Sequence, residues 1–175
     1  IELVNSDGKT LEEAFWIKSG KAKGNKVWYI GKNGKKMPIP GYLSADHLCR
    51  AVLGQNLETV RQTAEKKTVS VYNKEQGKKV PTERPVITQL LNKPVKVAVH
   101  QIIEDKQAKN GNGQYVPTGE TRTVNECKFF GNVENGKTAD EIKKNQPATM
   151  FERWSTKNTG IVINKSGKTK SDTSA

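Results

Sequence analysis

The chain has 175 residues and 19.4 kDa, thirty Lys and Arg against eighteen Asp and Glu, and is only 33% hydrophobic. That is room for one ordinary domain with a modest core plus a tail, and a net charge of +12 with a pI near 9.7 points to a polyanionic partner, nucleic acid ahead of an anionic membrane surface. No apolar run reaches the roughly 18 residues of a membrane helix, no charged-then-apolar leader opens the chain, and Cys49 and Cys127 are too few for a disulfide framework, so a soluble cytoplasmic protein with buried, reduced thiols is expected.

In chain order, Ile1 to Val4 reads as the end of a strand closed by the turn Asn5-Ser6-Asp7-Gly8. Leu11 to Lys18 alternates with a period of two: Leu11, Phe15 and Ile17 share one face with Glu13, while Trp16 and Lys18 share the other. This predicts a half-buried strand with Phe15 and Ile17 inward and Trp16 outward. Lys26 to Ile30 is again strand-like, and Gly31-Lys32-Asn33-Gly34-Lys35-Lys36 carries the Asn-Gly signal of a hairpin turn. Of Trp28 and Tyr29, which point to opposite sides of a strand, one is expected to be buried. Pro38 and Pro40 end that ribbon, and Ser44 is placed as the cap of a helix with Leu48, Ala51 and Val52 on its apolar face, stopping at Gly54.

Thr68 to Tyr72 predicts a strand, Lys74 to Pro81 a polar turn region, and Val86 to Leu91 one or two helical turns ended by Asn92-Lys93-Pro94. Val95, Val97 and Val99 alternate with Lys96, Ala98 and His100 in a strand that runs on through Ile103, and Thr121 to Phe130 forms its antiparallel partner across the loop Lys106 to Gly119. Ala139 to Lys144 fits a last short helix. Strands, a basic hairpin, a mostly helical middle and a long hairpin, without parallel βαβ alternation, predict a mostly β, OB-like antiparallel barrel with inserted short helices and extended hairpins. The sequence opens with only four residues of its first strand, so a closing strand is expected to be missing from it. An SH3-like barrel and a small α+β sheet are the alternatives. The domain is placed at residues 1–155, followed by a flexible basic tail at 156–175 with four Lys and one acid.

The charge is unevenly spread. Lys18, Lys21, Lys23, Lys26, Lys32, Lys35 and Lys36 follow one another without a single acid between them, and Trp16, Trp28 and Tyr29 are interleaved with them. Lysines attract phosphates and release counterions, while exposed aromatic rings stack on unpaired bases at about 1–3 kcal/mol each. Duplex bases offer no open face, so the combination suits a single strand. The competing reading is a solvated lysine edge that blocks aggregation, with the tryptophans in a core. Secondary candidates are Lys96 and His100 on the non-valine face of their strand, Arg122 on the pairing strand, and Tyr115 near the loop tip. Tyr72, Phe129, Phe130 and Trp154 are assigned to packing.

Gly131-Asn132-Val133-Glu134-Asn135-Gly136-Lys137-Thr138 satisfies the phosphate-loop pattern G-x-x-x-x-G-K-[ST] after a strand and before a helix. Only 37 residues follow it, and Ile161-Val162-Ile163 ends in Asn164 rather than in an aspartate that would hold Mg²⁺. A Gly/Asn turn with Thr138 as helix cap and Glu141 completing a capping box is the preferred reading. His47, Cys49, His100 and Cys127 lack the spacing of a metal site. No cofactor fingerprint and no nucleophile–base pair stand out, so a non-enzymatic role is expected.

The segments Phe15-Trp16-Ile17-Lys18-Ser19-Gly20-Lys21-Ala22-Lys23-Gly24, Pro40-Gly41 with Leu48-Cys49, Lys79-Val80-Pro81-Thr82-Glu83, Tyr115-Val116-Pro117-Thr118-Gly119-Glu120-Thr121-Arg122 and Glu152-Arg153-Trp154 together resemble a bacteriophage family of single-stranded DNA-binding proteins built on an OB fold. The similarity spans most of residues 1–160. It implies sequence-tolerant binding and protection of single-stranded DNA, with RNA a weaker ligand, in phage replication, recombination or repair within the host cytoplasm. Against that family the chain resembles a truncated member, and its tail is basic where many such proteins end in an acidic tip that recruits partner enzymes. The alternative function is an adaptor that docks onto a replication or recombination enzyme and meets nucleic acid only weakly.

Overall fold

The computed structural model describes residues 1–73 and 75–167; residues 168–175 of the expected basic tail lie outside the described residues. Strand β1 (Glu2–Val4) turns back into β2 (Thr10–Glu12) with Leu3 opposite Leu11. The turn is held by Asn5, whose Oδ1 accepts from the backbone N–H of Asp7 and Lys9 at 3.1 and 2.8 Å. Beyond β2 the chain leaves the sheet, yet burial alternates residue by residue from Leu11 to Ser19 as the period of two requires. Strands β3 (Trp28–Ile30) and β4 (Lys36–Pro38) make the expected ribbon, with Gly34 at φ +72° in its turn.

Helix α1 (Pro40–Leu53) begins before Ser44. Pro40 starts the helix instead of forbidding it, because at the first helical position its fixed φ suits the turn and its missing N–H would have had no partner. Gly54 closes α1 in the left-handed conformation, as expected. A second helix, α2 (Leu57–Arg61), is capped by Asn56, which accepts from the Thr59 N–H at 2.9 Å. Strands β5 (Glu65–Asn73) and β6 (Lys78–Val86) pair along their whole length, so the second half of the expected polar turn region, from Lys78 to Pro81, is strand. Pro81 and Pro85, which cannot donate to a ladder, are tolerated because β6 has no second neighbour among the described residues. A 3-10 turn at Thr88–Leu90 stands where helical turns were expected.

The long hairpin forms, with strands extended well into the predicted loop: β7 (Lys96–Lys109) and β8 (Tyr115–Gly131) are joined by a tight turn in which the Asn110 N–H donates to the Gln114 carbonyl at 2.8 Å. Contacts pairing residue 104 with 122 and 106 with 120 run in opposite directions, as antiparallel strands require. Helices α3 (Ala139–Lys143) and α4 (Met150–Asn158) follow, and β9 (Val162–Asn164) pairs in parallel with β7, opposite Gln101 to Ile103. Ordered structure thus continues past residue 155, where the domain was expected to end.

Strands hold 39% of the residues against 23% in helices, so the fold is mostly β, with several antiparallel sheets. Among the described residues the strands do not close: they form three two-stranded sheets and one three-stranded sheet in the order β8-β7-β9. No barrel is present among the described residues, since a barrel needs each strand hydrogen-bonded on both edges. Among the described residues two compact units are formed: one comprises Ile1–Ala14, Val97–Phe129 and the chain from Thr149 onward, the other Phe15–Lys96 and Phe130–Ala148.

The second unit is built on α1. Cys49, Leu57 and Val60 are buried with Tyr42, Ala45, Leu53, Ile87 and Leu90 around them. Asp46 ties the two helices, accepting from the Leu57 N–H at 2.8 Å and from Arg50 Nε at 2.7 Å. The first unit buries Ala98 and Ile102 on β7 beside an aromatic cluster in which Phe129 meets Phe151 at 4.8 Å and Trp154 at 6.0 Å. Phe129, Phe130 and Trp154 therefore pack as expected, whereas Tyr72 is 59% exposed. Its strand neighbours explain the difference: Lys66, Thr68 and Ser70 lie on its face, and Val69 and Val71 take the inner one. Among the described residues no helix is long and apolar enough to cross a membrane.

Candidate nucleic-acid interface

The lysine-rich stretch lies in the second unit, and its geometry begins with Phe15. The Phe15 ring meets the buried Phe130 edge-on at 6.0 Å. With Phe15 and Ile17 turned inward, alternation turns Trp16 outward, and it is 82% exposed. The backbone at Trp16 lies against Gly41 on α1, so closely that a Cβ on Gly41 would stand 2.6 Å from the Trp16 carbonyl oxygen and 2.7 Å from its nitrogen. Glycine is what lets the extended segment run over the helix at this point.

The next residues form a tied loop. The Ser19 N–H donates to the Lys26 carbonyl at 2.8 Å, the Lys26 N–H donates to Ser19 Oγ at 2.8 Å, and Ser19 Oγ donates to the Lys23 carbonyl at 3.2 Å. Lys21 to Lys23 form a single 3-10 turn inside it, and the Ile39 N–H donates to the Val27 carbonyl at 2.9 Å. One serine therefore fixes the path that carries Lys18, Lys21, Lys23 and Lys26.

On the ribbon, Trp28 faces Pro38 and Ile30 faces Lys36, so Trp28 and Lys36 are diagonal neighbours on one face, and Lys26, two residues before Trp28, joins them. The Lys26 and Lys36 ammonium groups stand 4.8 and 4.5 Å from the centre of the Trp28 ring, within the range of a cation–π contact. Trp28 is half-buried, while Tyr29 on the other face is 46% exposed opposite Met37. Lys32 and Lys35 lie in the exposed turn between the strands. All seven lysines from Lys18 to Lys36 are exposed, and among the described residues none of them forms an ion pair.

The other expected contacts are distributed differently. Lys96 opens β7 in the second unit and is exposed. His100, Tyr115 and Arg122 belong to the first unit. His100 sits on the inner face of β7 with Ala98 and Ile102, its ring stacked on Trp154 at 5.1 Å and its Nε2 3.1 Å from Asn158 Oδ1. The expected valine-in pattern holds only to Val97: the face reverses at Ala98 and leaves Val99 37% exposed. Tyr115 is 67% exposed near the hairpin tip, with the Lys109 ammonium 5.6 Å from its ring. Arg122 donates from Nε and Nη2 to Glu104 Oε1 at 2.9 and 2.7 Å, so its charge is already engaged.

Two residues escaped sequence reasoning. Gly41 gives no local signal, because its requirement comes from a segment 25 positions away. Tyr72 was legible in retrospect, since the side chains alternating with it are all polar.

The phosphate-loop pattern uses its donors internally. In the turn 131–138 the N–H groups of Glu134 and Asn135 donate to Asn132 Oδ1, that of Lys137 to Asn135 Oδ1, that of Asn132 to the Lys137 carbonyl and that of Gly136 to the Asn132 carbonyl. Thr138 is buried, donating from its N–H and hydroxyl to Glu141 Oε2 at 2.8 and 2.9 Å in the expected capping box. A phosphate cradle needs these amides free. Cys49 and Cys127 are both pushed up to about 11, chiefly by burial, with Asp46 acting on the first and Glu13 on the second; thiols so shifted are poor nucleophiles at neutral pH. Among the described residues no group of three His, Cys, Asp or Glu could hold a metal ion.

Compared with protein-family models, curated proteins and solved structures, the chain matches none.

Proposed function

We propose that this protein binds single-stranded DNA without sequence preference, covering and protecting the strand during phage DNA replication, recombination or repair, on a scaffold related to the OB fold. It acts by occupancy rather than by chemistry. The observation that carries the reading is the set of seven exposed lysines without ionic partners among the described residues, beside an outward-facing Trp16. Free ammonium groups release counterions from phosphates, and about five engaged ones give a log–log salt slope near −3.5 on a single strand. An exposed indole stacks on an unpaired base of any sequence.

The test is tryptophan fluorescence titrated with oligo-dT, oligo-U and a duplex at two salt concentrations. Quenching by oligo-dT at low concentration, weaker quenching by oligo-U and none by duplex is expected. An equal response to all three reduces the protein to a generic polyanion binder. A second reading, an adaptor docked on a replication or recombination enzyme, is favoured by Tyr29 and Met37, which face each other across the ribbon and are 46% and 41% exposed. Salt separates the two readings: a contact centred on these apolar side chains persists at ionic strengths that dissolve a phosphate contact.

A further inference from the structure

We propose that Trp28 is a positioning residue that holds Lys26 and Lys36 as a preset pair for the phosphates of the bound strand, and that Trp16, not Trp28, receives a base. This rests on the reading that the ribbon binds a single strand. The two ammonium groups are each within 4.8 Å of one ring centre, so they are no more than about 9 Å apart, close enough to serve one phosphate or two successive ones. Two like charges on flexible four-carbon stems would otherwise diverge. The negative face of the indole offsets that repulsion and removes part of the rotamer freedom that binding must otherwise freeze. A ring with two cations over it is also a poor stacking platform, and Trp28 is half-buried where Trp16 is 82% exposed.

The two rings therefore discriminate differently. A preset cation pair favours any phosphate backbone, paired or unpaired, whereas a stacking indole favours only unpaired bases. Trp28→Leu is expected to weaken binding of oligo-dT and of a duplex by the same factor, about three- to tenfold, and Trp28→Phe to restore it. Trp16→Leu is expected to weaken oligo-dT alone. In the Lys36→Ala background the effect of Trp28→Leu should shrink, because the residue acts through that lysine.

A loss confined to oligo-dT on Trp28→Leu, or full additivity with Lys36→Ala, overturns the inference by showing that the ring meets the ligand itself. If Trp28→Leu fails to fold, the unsubstituted free protein still decides. The ε-methylene protons of Lys26 and Lys36 should be shifted upfield by the indole ring current, and resonances at ordinary lysine positions overturn the inference. If instead the unsubstituted protein shows no preference for oligo-dT over duplex while these shifts and the equal losses persist, the single-strand reading falls and the cation pair stands.

Discussion

The ribbon of β3 and β4 and the hairpin of β7 and β8 are both exposed antiparallel pairs turned by asparagine and glycine, but they use their charges in opposite ways. On the hairpin Lys106 meets Glu120 at 2.8 Å, Arg122 takes Glu104 through two nitrogens, and Glu126 is shared by Lys128 at 2.8 Å and Lys165 at 3.3 Å. On the ribbon and its loop the lysines form no ion pair among the described residues. A cation already paired must give up its partner before it takes a phosphate, while a free one gives up only water. Net charge attracts a polyanion to the molecule as a whole; unpaired charge decides where it rests.

The largest effect should therefore come from neutralising the ribbon. Replacing Lys26, Lys32, Lys35 and Lys36 by Gln together is expected to lower oligo-dT affinity on the order of 100-fold at low salt and to flatten the log–log salt slope by about 0.7 for each lysine lost. Replacing Lys106 and Arg122 by Gln, equally a loss of positive charge, is expected to change affinity by no more than about twofold, because exposed pairs of this kind contribute little in either direction. Anisotropy titrations of a labelled oligo-dT across a salt series give both numbers. Equal losses from the two sets would erase the distinction between free and engaged charge.

The next effect sharpens the ribbon side. Trp16→Ala should cost about 1–3 kcal/mol of oligo-dT affinity. Gly41→Ala should do much of the same without touching an aromatic ring, since its methyl would meet the Trp16 backbone at 2.6 Å. Two opposing terms make the sign of the stability change informative: Ala gains up to about 1 kcal/mol over Gly in a helix, and overpacking loses about 1–3 kcal/mol. Destabilisation together with lost quenching is the expected pair of results. A more stable variant that still quenches would show that the segment does not need that close approach.

A smaller effect concerns polar groups engaged inside the second unit. Thr138→Ala removes the capping box and is expected to cost about 0.5–2 kcal/mol of stability in a thermal or urea melt. Calorimetric titration with Mg-ATP should show no binding to the unsubstituted chain or to Lys137→Ala. Nucleotide binding that Lys137→Ala abolishes would mean that the amides of the 131–138 turn can be released after all.

Much of this contrast was legible before the structure. The period of two across Leu11 to Lys18 is written in the residues themselves, and it placed Phe15 and Ile17 inward and Trp16 outward without any sheet partner. The acid-free run of lysines was equally plain. What stayed hidden depends on distant partners. The pairing of Arg122 with Glu104 needs the register of two long strands, and the two cations over Trp28 need a cross-strand diagonal. Strand β6 was obscured because its inward positions, Val80, Thr82 and Val86, follow two lysines and are interrupted by two prolines and two charges, a composition that mimics a loop. The face reversal between Val97 and Ala98 lies just inside the first unit, where β7 turns Ala98, His100 and Ile102 inward and Val99 outward. A regular valine pattern extrapolated through that point assigns His100 to the wrong side.

The smallest effect breaks the hairpin side. The Lys128 ammonium, hydrogen-bonded to Glu126, holds its carboxyl below the ordinary range despite partial burial, and Lys165 adds to the effect. A carboxyl with a lowered folded-state pKa binds its proton later than in the unfolded chain. Its contribution is therefore complete above about pH 4.5, the unfolded value, and is lost as pH falls through the folded value. Urea midpoints should fall more steeply between about pH 5 and pH 3 for the unsubstituted protein than for Glu126→Gln, while the two should run parallel above that window. Because every other carboxylate titrates in both chains, the difference isolates this one group. Oligo-dT affinity at neutral pH should be the same for both, since Lys128 and Lys165 lie in the unit that does not carry the ribbon. A Glu126→Gln chain that binds markedly tighter would show that freeing paired lysines is enough to recruit them, and that the hairpin is a reserve binding surface held closed by its own acids.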